Sequence, residues 1–76
     1  MGQVTVEVLF FGRMADIAGA RRISREAETL FGLRDALFDA AISSGVRMSV
    51  NRQQVTADVV LNAGDEVAFF SVFSGG

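Results

Sequence analysis

Polar and apolar positions alternate along 4-VTVEVLFF-11. Val4, Val6, Val8 and Phe10 point to one side of an extended chain, and Thr5, Glu7, Leu9 and Phe11 to the other, which predicts a strand with one buried face. The second side starts polar and turns apolar at Leu9 and Phe11, so part of it is expected to meet something other than water. The next piece, 12-GRMADIAGA-20, is bounded by glycines and has room for one or two helical turns. The segment 21-RRISREA-27 is weakly extended and mostly polar; its charges predict an edge strand that discourages edge-to-edge pairing.

The period then changes. Thr29 is an N-cap candidate ahead of a helix expected over about residues 30–44. Leu33, Leu37, Ala40, Ala41 and Ser44 fall on one stripe of that helix, flanked by Leu30 and Ile42. Gly32 weakens its first turn, and Gly45 stands where a left-handed residue would end it. Alternation returns at 46-VRMSV-50, followed by a polar turn at 51-NRQQ-54 and short extended pieces near Val55 and 59-VVL-61. A turn with glycine third, 62-NAGD-65, precedes the strongly β-prone 66-EVAFFSVF-73. There Val67, Phe69, Ser71 and Phe73 share one face, and Ala68, Phe70 and Val72 the other.

One main helix with several strands predicts an α+β domain in which the helix crosses one face of a mixed sheet. The first and last strands are the longest and most apolar, so they are expected side by side and parallel at the sheet centre: a β-grasp (ubiquitin-like) arrangement. At 76 residues, residues 1–76 are expected to form a single such domain, with Gly75-Gly76 as a flexible tail.

Composition narrows the chemistry. Cysteine and histidine are both absent, which removes thiolate metal sites, disulfides and the commonest general base. A net charge of −2 speaks against nucleic acid as a partner. Four of the seven arginines lie between Arg13 and Arg25; they read first as a solvated face and second as a docking patch for an acidic partner. The apolar runs are too short to cross a bilayer and the first residues lack a basic leader, so a cytoplasmic location without membrane contact is expected.

No catalytic set emerges. Asp65 and Glu66 point to opposite sides of an extended chain and read as acids that cap a turn. Ser43 and Ser44 sit at a helix end rather than a strand-to-helix elbow. Phosphate-cradling glycine spacing and metal-ligand spacing are absent, so autonomous catalysis is not expected. The remaining chemical handle is a backbone carboxylate at Gly76, on two residues whose missing Cβ lets them enter a narrow site.

With 6-VEVLFFGRMADIAG-19, 50-VN-51, 64-GDEVAFF-70 and Gly75-Gly76 taken together, the chain resembles the small subunit of molybdopterin synthase, the sulfur-carrier family often called MoaD and related to the thiazole-forming carriers. The resemblance implies a non-catalytic, sulfur-donating subunit of a transferase complex. Its Gly76 carboxylate is adenylated with ATP by an activating partner and converted to a thiocarboxylate, and the sulfur passes to a pterin precursor in molybdenum cofactor biosynthesis. The carrier binds no cofactor of its own. Ser74 and Gly75 serve as the tail, Phe11, Phe70, Val72 and Phe73 contact the partner, and the expected assembly is a heterotetramer with the large subunit. Two positions depart from the family pattern: Ser71-Val72-Phe73-Ser74 replaces a Pro-Pro-Val type tail, and Gln54 stands where an apolar contact is common. A thiazole-type carrier of thiamine biosynthesis, a ubiquitin-like protein modifier joined to lysines, and a β-grasp binding module with an idle tail remain open alternatives.

Overall fold

A computed structural model describes residues 2–71 of the chain. In order it contains β1 (Val4–Phe10), α1 (Arg13–Ala18), β2 (Arg22–Ala27), α2 (Leu30–Leu37), α3 (Ala40–Ser43), β3 (Val46–Val50), β4 (Gln53–Val55) and β5 (Glu66–Ser71). The strands form one mixed sheet in the order β2-β1-β5-β3-β4. β1 and β5 run parallel at its centre, and every other pairing is antiparallel. This is the β-grasp expected from the two long apolar strands.

Burial follows the alternation. Val6, Val8 and Phe10 of β1, Val67 and Phe69 of β5, and Val46 and Met48 of β3 are buried on one side of the sheet. Against them pack Leu30 and Leu33 of α2, Met14 of α1, and Leu61. At the centre, Phe69 stacks on Phe10 with ring centroids 6.0 Å apart and meets Phe38 edge-on at 5.2 Å. Such offset and edge-to-face pairs let the positive ring edge meet the negative face of its neighbour.

The expected helix over residues 30–44 is broken. Thr29 does cap its start, its hydroxyl accepting from the Gly32 N–H at 3.1 Å. However, Phe38 is extended (φ −132°, ψ 149°) and drops its ring into the core, where it is 6% exposed. Asp39 then caps the short α3, accepting from the Ile42 N–H at 3.0 Å. The break shifts the buried stripe. Ala40, Ala41 and Ser44 are exposed, while Phe38 and Ser43 are buried. Nor is Gly45 left-handed: Ser44 ends α3 in a right-handed conformation. The left-handed helix cap belongs to Gly19, at the end of α1.

The turn expected over 51–54 is tighter than that. Asn51 and Arg52 both have positive φ (51° and 72°) and alone join Val50 to its partner Gln53. Two left-handed residues in a two-residue loop are the hairpin geometry whose twist matches that of the flanking strands. Gln53 and Gln54 therefore belong to β4, not to the turn.

Candidate functional site

The helices cover one side of the sheet and leave the other open. By register, the open side carries Thr5, Glu7 and Leu9 of β1, Arg22, Ser24 and Glu26 of β2, Glu66, Ala68 and Phe70 of β5, Arg47 and Ser49 of β3, and Gln54 of β4. Leu9 lies directly beside Ala68. One residue beyond β1, the Phe11 N–H donates to the Phe69 carbonyl at 3.1 Å, which continues the parallel pairing and brings Phe11 beside Phe70. Leu9, Phe11, Ala68 and Phe70 thus make an apolar strip down the middle of an otherwise polar face.

Phe11 is 53% exposed and Phe70 is half-buried. The two meet across a shallow recess of about 270 Å³, lined also by Gly12, Arg13 and Ser71. Gly12 makes this possible: at φ 54°, ψ −125° it turns the chain from β1 into α1 immediately after Phe11, in a conformation that L side chains rarely adopt. An exposed Phe costs little in stability by itself. A continuous apolar strip rimmed by polar groups marks an interaction surface.

The rim is cationic and polar. Arg22 lies across from Leu9, Arg47 from Phe70, Ser49 from Ala68, and Gln54 from Ser49. Glu7 is engaged locally: it accepts from the Ser24 hydroxyl at 2.7 Å and from Arg22 Nε at 2.9 Å. These two hydrogen bonds, the one from Ser24 first, hold its carboxyl below the usual carboxylate range.

Asp65 and Glu66, the adjacent acids, are structural. Asp65 accepts from the Asn62 N–H at 2.8 Å and from Asn51 Nδ2 at 3.0 Å, and the Glu66 N–H donates to Asn51 Oδ1 at 3.0 Å. Gly64, at φ 85°, closes the turn just before them. Asn51 and the 64-GDE-66 turn therefore clamp the β3–β4 hairpin to the start of β5. Among the described residues no group of carboxylates is placed to hold a metal ion.

Of the site residues expected from sequence, Phe11 and Phe70 are brought together on the open face. Val72, Phe73, Ser74, Gly75 and Gly76 lie outside the described residues. The cross-strand rim of Arg22 and Arg47 was not singled out from sequence, because register is needed to find it. The one available signal was the arginine cluster between Arg13 and Arg25.

The ThiS family model matches residues 8–76 of the chain, which includes the whole open-face strip. Among solved structures, SAMP1 from Haloferax volcanii superposes with a TM-score of 0.76 at 24% identity, over 95% of this chain and 99% of that one. Small archaeal modifier protein 1 from Methanosarcina acetivorans gives 0.77 at 16% identity over the full length of both chains. A protein described as molybdopterin converting factor subunit 1, from Pyrococcus furiosus, gives 0.75 at 24% identity, over 90% of this chain and 97% of that one. At these identities the structural likenesses establish the shared fold. No curated protein sequence matches the chain significantly.

Proposed function

The chain belongs to the ThiS family, and from that premise we propose that it is the sulfur-carrying small subunit of a molybdopterin synthase. The observation that carries this reading is the path of β5. The strand that presents Phe70 on the open apolar strip is the one that leads towards Gly75-Gly76. Only five residues follow Ser71, a length that spans at most about 18 Å when extended. A partner seated on the strip would therefore receive the Gly76 carboxylate only if its reactive site lay within that distance of Ser71.

The chemistry needs no side chain of the carrier. A carboxylate oxygen of Gly76 attacks the α-phosphate of ATP in an activating enzyme, and pyrophosphate leaves. Hydrosulfide released by a sulfur donor then attacks the acyl carbon, AMP departs with the former carboxylate oxygen, and the S–H proton is lost to solvent. Adenylation is required because a carboxylate itself is a poor acyl donor, with no good leaving group on its carbon. The resulting thiocarboxylate, delivered by docking, reacts with a pterin precursor as a positioned reagent in a larger subunit's site. ATP is a substrate of the activating enzyme, and the carrier holds no cofactor.

The reading is tested by intact mass. After incubation with an adenylating enzyme, ATP and a sulfur donor, the protein is expected to gain the mass difference between sulfur and oxygen, localised to Gly76. An unchanged mass with enzymes competent on another carrier overturns it. A ubiquitin-like modifier is the second reading, favoured by the SAMP1 likenesses. It predicts instead that Gly76 becomes joined to lysine amines of other proteins, visible as conjugates that survive reduction and denaturation.

Docking on the strip has its own test. Phe70→Asp places a carboxylate in the apolar centre of the open face. It is expected to weaken binding to the large synthase subunit by about thirtyfold or more, the range of a central interface anchor. Its unfolding midpoint should stay near that of the parent, because Phe70 is only half-buried. Equal loss of binding and stability would place Phe70 in the core instead.

A further inference from the structure

β2 ends the sheet, and its outer edge faces away from β1. The Phe10 N–H donates to the Arg21 carbonyl, so Arg21, Ile23, Arg25 and Ala27 direct their backbone groups inward to β1. Those of Arg22, Ser24 and Glu26 are directed outward. An open strand edge is a template for another strand, and side-chain charge normally decides whether pairing occurs.

The charges of this edge are self-complementary in one register. If two β2 strands pair antiparallel about a two-fold axis at Ser24, the outward backbone groups of Ser24 meet their own copies. Arg22 then lies opposite Glu26 of the second copy, and Glu26 opposite its Arg22, both pairs on the open side of the sheet. Neighbouring registers that preserve hydrogen bonding do the reverse within the strand. Centring on Ile23 sets Arg21 against Arg25, and centring on Arg25 sets that arginine against itself. Like charges directly opposite are unfavourable, and opposite charges favourable.

The other side of the strand fits as well. In the Ser24-centred register Ile23, which is half-buried, faces Arg25 of the second copy, whose exposed aliphatic stem can cover it while its guanidinium stays in water. Glu7, already bonded to Arg22, extends the two new pairs into a ladder of alternating charge. The edge charges that discourage indiscriminate pairing thus select a single partner strand.

We propose that β2 is a homotypic docking edge, through which two copies of this chain join into one continuous sheet centred on the paired Ser24 residues. The apolar strips of both copies stay open in this arrangement, so it is independent of the assignment of partner and of sulfur chemistry. The contact is small and polar, so association is expected only at high concentration, with a dissociation constant on the order of 1 mM or somewhat below.

Sedimentation equilibrium on the full chain, from micromolar to millimolar, should show a monomer–dimer equilibrium that weakens with added salt. Amide hydrogen exchange supplies the register. Raising the concentration should slow exchange at the Arg22, Ser24 and Glu26 N–H groups and leave Ile23 and Arg25, already bonded to β1, unchanged. Ser24→Pro removes an outward N–H without breaking a bond to β1, and is expected to abolish the dimer. Glu26→Arg, at an exposed side chain, should weaken it about tenfold or more; it keeps the test open if the proline variant fails to fold. Adding Arg22→Glu to Glu26→Arg exchanges the paired charges and should restore association. A chain that stays monomeric at millimolar concentration, a dimer unaffected by Glu26→Arg, or slowed exchange at positions other than these three overturns the proposal.

Discussion

Phe69→Ala is expected to lower the stability of the fold by about 3–5 kcal/mol. Phe69 is fully buried on the central strand, touching Phe10 face to face and Phe38 edge-on, and those two rings also meet each other at 6.1 Å. Truncating a buried Phe costs about 3–5 kcal/mol through lost transfer energy and the cavity that remains. The aromatic contacts place it towards the upper end of that range, because two partners lose their ring at once. A domain of this size holds about 4–11 kcal/mol in total, so the loss takes about half of a mid-range value and shows as a large drop in the unfolding midpoint. Collapse of the site is unfavourable too: Phe38 reaches the core only by breaking the helix, and its neighbours Leu37 and Asp39 are committed to α2 and to the α3 cap.

The control is Phe11→Ala. That ring is 53% exposed, so its removal is expected to shift stability by no more than about 0.5 kcal/mol, as for ordinary surface positions. Urea unfolding followed by far-ultraviolet circular dichroism measures both. If Phe69→Ala retained a midpoint close to that of Phe11→Ala, the stacked aromatic trio would not be the keystone of the core.

What the sequence made legible follows from where its information is local. Alternation in β1 and β5 is a property of consecutive residues, and it placed Val6, Val8, Val67 and Phe69 inside and Phe11 and Phe70 outside. Thr29 announced a helix for the same reason. The break at Phe38 is different. Leu33, Leu37, Ala40 and Ala41 satisfy a helical period almost as well through the break as around it, because alanine fits either a buried or an exposed position. The decision is tertiary: the Phe38 ring gains two aromatic neighbours only if its residue leaves the helix. Asp39, an N-cap residue type followed by three further helix-compatible residues, was the local sign that a second helix starts there.

The rim of the open face was hidden for a related reason. Arg47 faces Phe70 through the register of β3 on β5, pinned at its far end by the Asn51 N–H on the Glu66 carbonyl; a slip of one residue would move every β3 side chain to the other face. The two-residue hairpin at Asn51-Arg52 sets in turn where Gln54 falls across from Ser49. Asn-Arg is also not a pair that announces such a turn. Asn51 earns its place through Asp65 and Glu66 instead, contacts that only the folded sheet brings together. The motif residues 50-VN-51 and 64-GDE-66 thus serve the scaffold, and the residues proposed to meet the partner are mostly plain hydrophobes distinguished by the side on which they fall.

Removing Gly76, or adding a single residue after it, is expected to abolish thiocarboxylate formation, with no change in unfolding midpoint for either variant. The argument is about chemistry rather than packing. The described core runs from Val6 to Phe69, and Gly76 has no side chain to add to it. Adenylation by contrast depends on one group, an α-carboxylate on a residue slender enough to reach the nucleotide. An added residue converts the Gly76 carboxylate into an amide, which cannot attack the α-phosphate of ATP. It moves the new carboxylate outward by about 3.5 Å, a displacement large beside the sub-ångström tolerance of positioned reactants. Deleting Gly76 shortens the reach by the same step. The discriminating result is a pair of measurements on each variant: affinity for the proposed large subunit, assigned by that proposal to Phe11 and Phe70, should be retained in order of magnitude, while sulfur loading falls to the background of a reaction without ATP. Loading that persists in the extended variant would mean that sulfur is attached elsewhere, and loss of both binding and loading would mean that the tail, and not the open face, is what the partner grips.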